Sequence, residues 1–136
     1  MSTLRTNALE GVDAKNSITI VAGAGNITTT NVQEGLIKAW ADVDMTGTAG
    51  LDDSFNIASV TDNGTGDFTL AIANDMANGA YAISFGYQNQ SSNQGSHIRL
   101  LSDGHKLAST VQCQKVENNS ATDGDTNTAM IVGDLA

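Results

Sequence analysis

The stretch from Ser54 to Tyr87, SFNIASVTDNGTGDFTLAIANDMANGAYAISFGY, constrains the fold of this chain more than any other part of it. Phe68, Leu70 and Ile72 alternate with Asp67, Thr69 and Ala71. Tyr81, Ile83, Phe85 and Tyr87 alternate in the same way with Ala80, Ala82, Ser84 and Gly86. A period of two places one set of each run on a buried face, so both runs predict strands with an apolar or aromatic core side. Between the first two strands lies Thr61-Asp62-Asn63-Gly64-Thr65-Gly66, and Asn-Gly tolerates the positive φ values that a hairpin turn requires. The segment predicts a β-meander of three strands.

The remainder extends that pattern. Leu36 to Asp44 predicts a strand with Ile37, Ala39, Ala41 and Val43 inward and Lys38, Trp40, Asp42 and Asp44 outward, followed by a Gly-rich acidic turn from Met45 to Asp53. Gln88 to Ser96 predicts a polar exposed loop, and Ile98, Leu100 and Leu101 a short strand closed by a turn at Ser102-Asp103-Gly104. His105 to Glu117 predicts a longer strand with Leu107, Ser109, Val111 and Cys113 on one face; Asn118 to Asn127 predicts a polar loop and Ala129 to Val132 a last strand. Six to eight short strands with no helical periodicity predict an all-β fold, an antiparallel β-sandwich or jelly-roll-like domain over residues 35–136. Residues 1–34 hold one clear strand candidate, Ser17 to Val21, in a background of small residues, and predict an extended N-terminal arm. Such a stretch buries too little apolar area alone to offset roughly 1–2 kcal/mol of backbone entropy per residue. It therefore has to lie on another surface or be loose.

With 136 residues, one domain is expected. Acidic residues number 15 against 6 Lys and Arg, a formal net charge of −9, which argues against nucleic acid as a partner. No run of about 18 apolar residues is available to span a membrane, so a soluble protein without membrane contact is expected. Cys113 is the only cysteine, which excludes an intrachain disulfide.

Catalytic chemistry has little support. Asp123-Gly124-Asp125-Thr126-Asn127 has the D-x-D-x-N spacing of a calcium loop, but Thr128 stands where that loop needs Gly and Asp134 where it needs a bidentate Glu. A solvated loop is the better reading. His97, His105 and Cys113 have no spacing that pairs a thiol with an imidazole base, and Cys113 falls on the apolar side of its strand. No catalytic residue, metal ligand or cofactor site is expected, and the protein reads as no enzyme. Two features point instead to assembly. Ala80, Ala82, Ser84 and Gly86 form a small-residue face that a second sheet, the arm or another subunit could cover, and the outward Trp40 would fill a gap within the chain or anchor an interface.

Lys38-Ala39-Trp40-Ala41-Asp42-Val43-Asp44-Met45-Thr46-Gly47-Thr48-Ala49, followed by the run from Asp53 through Ser54-Phe55-Asn56 and Thr61-Asp62-Asn63-Gly64-Thr65-Gly66-Asp67 to Phe68, resembles a module of structural proteins of marine tailed bacteriophages. The module's pattern is K-A-W-x-x-[FV]-[ND]-x-T-G-T, then S-F-N-[IV]-x-S-[IV]-T-D-N-G-T-G-D-[FY]. Leu4 to Glu10 also resembles the short strand that opens many phage fibre-type proteins. Asp52 and Asp53 replace the basic or apolar pair often found before S-F-N, and Met76 to Tyr81 lacks the usual proline. The resemblance implies a virion structural protein, on the capsid or fibre surface and assembled in the host cytoplasm, that contacts the major capsid protein or other virion proteins and is commonly a homotrimer. With a short arm and no shaft, a capsid decoration or cement protein is the expected role. The alternative is a tail- or head-fibre tip that binds host glycan through Trp40, Tyr81, Tyr87 and the polar loops.

Overall fold

The computed structural model describes residues 19–21, 29–31, 35–88, 95–101 and 105–136. Contacts divide the chain into Met1–Leu36 and Ile37–Ala136. In the first part, β1 (Thr19–Val21) and β2 (Thr29–Asn31) pair antiparallel, with Ile20 opposite Thr30. The strand expected at Ser17 to Val21 is present over its described residues; the extended arm otherwise lies outside the described residues.

The second part is all-β, with two antiparallel sheets that share one apolar cluster, the sandwich expected from the sequence. The first sheet contains β3 (Ile37–Asp44), β4 (Gly50–Phe55), β7 (Ala82–Tyr87) and β11 (Asn127–Val132), in the order β4-β3-β11-β7. The second contains β5 (Ile57–Gly64), β6 (Asp67–Ile72), β8 (Ser96–Leu100), β9 (Thr110–Glu117) and the two-residue β10 (Ser120–Ala121). There β5 pairs β6 and β6 pairs β9; β8 and β10 flank β9, both opposite Val116 and Glu117.

Alternation decides what is buried. Ala39, Ala41, Val43, Ala129 and Ile131 point inward from the first sheet, and Phe68, Leu70, Ile72, Val111 and Cys113 from the second. Small side chains on one sheet and large ones on the other let the two layers interdigitate at close-packed density. Burying Phe68, 1% exposed, contributes roughly 2–3 kcal/mol.

Four sequence expectations change. The meander does not form: β5 and β6 make a hairpin, but β7 joins the opposite sheet beside β11. Tyr81, buried at 4% exposure, explains the crossing. Its hydroxyl donates to the Leu107 carbonyl at 3.0 Å, and Lys106 Nζ donates to the Tyr81 carbonyl at 2.8 Å while lying 5.1 Å from the ring centre. These contacts hold the Met76–Tyr81 connection over the end of the core rather than in a turn back to β6.

The acidic turn after β3 is also shorter than expected, because Gly50 to Asp53 already belong to β4. The strand expected from His105 begins only at Thr110. A tight turn in which Leu107 N donates to the Thr110 carbonyl at 2.8 Å leaves Leu107 exposed, whereas Val111 and Cys113 face the core as expected. Finally, the loop expected from Asn118 contains a hairpin. Asn118 and Asn119 have φ of 50° and 65°, the left-handed pair of a two-residue turn, and join β9 to β10.

Candidate outer-face docking site

The site is the outer face of the first sheet, and two β-bulges shape it. Opposite β11, Ile131 pairs with Ala39 but Val132 with Ile37, so Lys38 is an extra residue in β3. One extra residue reverses the alternation before it. Lys38, expected outward, is buried at 5% exposure, and Ile37, expected in the core, is 46% exposed. Burial pulls the Lys38 ammonium below its ordinary pKa, with Asp134 opposing the shift.

The second bulge lies between β3 and β4: Asp42 pairs with Asp53 and Val43 with Leu51, which leaves Asp52 extra. Asp52 and Asp53 thus both lie beside Asp42. Burial, then Asp52, with Asp125 and Asp53 adding, raises the Asp42 carboxyl above the ordinary aspartate range, against a hydrogen bond from the Val43 backbone. Its Oδ1 is buried without a hydrogen-bond partner.

Asn56 joins this face to the other sheet. With φ of 57° it is the pivot at which the chain leaves β4 and enters β5. Its Nδ2 donates to the carbonyls of Lys38 at 3.0 Å and Asn74 at 3.1 Å, and its Oδ1 accepts from the Asn74 backbone N at 2.7 Å and Nδ2 at 2.9 Å. The carbonyl of the bulged Lys38 is therefore satisfied by the residue that turns the chain. Few residues other than Asn combine left-handed φ with this donor and acceptor pattern.

Across the four strands, Phe55, Trp40, Met130 and Ser84 form one registered row. Phe55 is 54% exposed, Met130 39%, and Trp40 is half-buried. The next outward row is Asp53, Asp42, Thr128 and Gly86. A Cβ on Gly86 would lie 2.6 Å from Thr128 Oγ1, so the glycine makes room for that hydroxyl. Between the rows lies an open depression of about 420 Å³, lined by Trp40, Asp42, Ser84, Gly86, Thr128 and Met130.

The residues singled out from sequence separate. Trp40 lies on the outer face as expected, and Ala82 and Ser84 are exposed there, since the second sheet packs on the Ile83 and Phe85 side. Tyr81 belongs to the core and does not join Trp40, and Tyr87 is 41% exposed. Cys113 is fully buried, and burial, with Asp67 adding, pushes its thiol up to about 12. His97 points to the opposite side of β8 from Ile98, whose side faces the core. In the D-x-D-x-N run, Asp123 Oδ1 accepts from Gly66 N at 2.6 Å, and Asn127 Nδ2 donates to the carbonyls of Val43 at 3.0 Å and Gly124 at 2.7 Å. Those two side chains fasten the loop to the sheets, and no group of three acidic, His or Cys side chains among the described residues is arranged for a metal ion. Asp42 and the bulge that surrounds it with carboxylates were not singled out from sequence; the run Asp52-Asp53 was the available signal.

No family model, curated protein or solved structure matches the chain. The fold and the face define an all-β protein with an exposed aromatic sheet surface bordered by carboxylates.

Proposed function

We propose that this chain is a non-enzymatic structural protein of a tailed-bacteriophage particle, a capsid decoration or cement protein that reinforces contacts on the head surface. The outward row of exposed Phe55, half-buried Trp40 and exposed Met130 is the observation that carries this reading. A contiguous apolar face on a chain with net charge −9 supports a role in contact with another protein. The phage-like run supports it further. Trp40 and Phe55, both in that run, pair across β3 and β4, and Asn56 in the same run holds the two sheets together.

The fibre-tip reading keeps Trp40 and Tyr87 for a glycan but loses Tyr81, whose hydroxyl is bound within the fold. Purified particles distinguish the two. A decoration protein is present in many copies, and particles assembled without it remain infectious but lose resistance to heat. Absence of the chain from particles would refute the structural role; loss of host adsorption with heat resistance intact would favour the fibre tip.

A further inference from the structure

We propose that the depression over Trp40, Met130 and Asp42 docks a basic segment of another protein, with an arginine guanidinium against Asp42 and an aliphatic side chain on Trp40 and Met130. Three observations lead there.

First, the lining is mostly apolar, with the Ser84 and Thr128 hydroxyls beside it, while one rim is anionic. Trp40 and Met130 are registered neighbours on β3 and β11, and Asp42 follows Trp40 by two residues on the same face, so it lines the same depression. A planar guanidinium presents a rigid fork of donors to a carboxylate, which an ammonium does less well, and leaves the indole to the aliphatic side chain beside it. Second, acids crowd one another at that rim. Asp42 Oδ1 is buried and has no partner, and Asp52 and Asp53 are exposed beside it because of the bulge. Burial and these neighbouring acids hold its carboxyl above the ordinary range, so a cation placed there relieves repulsion as well as adding attraction.

Third, the chain does not supply that cation from its own described residues. Lys38 and Lys115 are buried, Lys106 donates to the Tyr81 carbonyl, and Arg99 is held by Gln114 Oε1 through Nη2 at 2.8 Å and Nε at 3.3 Å. A second copy brings the same net charge of −9, which opposes its approach to an acidic rim. Charge complementarity therefore selects a basic partner over self-association at this face. The inference stands on the depression's chemistry and holds whether or not the chain belongs to a phage particle.

Trp40 is the only tryptophan, so intrinsic fluorescence of the full chain reads the site directly. The probe is acetyl-Leu-Arg-Leu-Arg-amide, with acetyl-Leu-Gln-Leu-Gln-amide as the neutral control. The expected result is a saturable change in Trp40 emission with the arginine peptide and little change with the control. Affinity should fall roughly fivefold or more in Asp42→Asn, a loss in keeping with removal of one partly exposed charge-assisted contact. It should also weaken between about 10 mM and about 150 mM salt, as the screening length drops from about 30 Å to about 8 Å. Met130→Lys, which places a cation on the exposed wall, should abolish the titration. Equal titrations with the two peptides, unchanged affinity in Asp42→Asn, or a silent Trp40 up to millimolar peptide would each overturn the proposal. A chain missing from phage particles would leave this result standing, and a failed titration would leave the particle experiment standing.

Discussion

Asn56 carries more of the architecture than any other single side chain on this face, since four hydrogen bonds and a positive φ meet at it. Asn56→Ala should cost about 2–4 kcal/mol in a denaturant titration, because it strands the Lys38 and Asn74 groups and strains the left-handed backbone. Asn56→Gly should cost less by about 1 kcal/mol, as glycine keeps the φ but not the bonds. Equal losses would assign the effect to the bonds alone. Asp42 works in the opposite direction. Its folded-state pKa is raised, so the folded chain binds the proton more tightly than the unfolded chain, and stability is lost as pH rises through the window above the ordinary aspartate value. Asp42→Asn should therefore raise the melting temperature at pH 7, with the gain shrinking toward pH 4; a loss at pH 7 would contradict this. Cys113, with its thiol pushed up to about 12, should resist thiol reagents at pH 8 until the protein unfolds. Labelling of the native chain at the rate of a free thiol would contradict its placement in the core.

At the level of strands, the sequence announced the elements far better than their partners. Alternation in Phe68-Thr69-Leu70-Ala71-Ile72 identified β6 and its buried face, because a period of two survives without tertiary context. It failed at Ile37 and Lys38, where a bulge in the pairing with β11 reversed the pattern. The crossing of β7 to the other sheet was equally hidden, since it depends on Tyr81 meeting the Leu107 carbonyl 26 positions away. Of the candidate site, Trp40 was legible as an outward residue; the small face of β7 was expected under a second sheet, the arm or another subunit, but the second sheet packs on its other side, and the acidic rim required knowing that Asp52 is the extra residue of a bulge. The turn before β6 gives a sharp comparison. Gly66 has φ of 70° and a Cβ there would lie 2.6 Å from the Lys115 carbonyl oxygen, while Gly64, with φ of 126°, has open space around it. Gly66→Ala should therefore destabilise by about 2 kcal/mol more than Gly64→Ala, a difference that equilibrium unfolding measures and that equal losses would refute.

As a whole, the second part of the chain presents two unlike sides of one sandwich. Its inner faces close on a single apolar cluster, and the outward face of the β4-β3-β11-β7 sheet keeps Phe55, Trp40 and Met130 in view of solvent beside Asp42, Asp52 and Asp53. In the proposed role, that face is the contact surface of a head-decoration protein. The most direct test is an averaged electron-microscopy map of the tailed particle, with the chain marked by an antibody fragment raised against the exposed Asp62–Thr65 end of the β5–β6 hairpin. Label over the head, with the Trp40 face turned onto the capsid shell, is the expected result. Label confined to the tail tip, or a Trp40 face open to solvent on a labelled head, would contradict it.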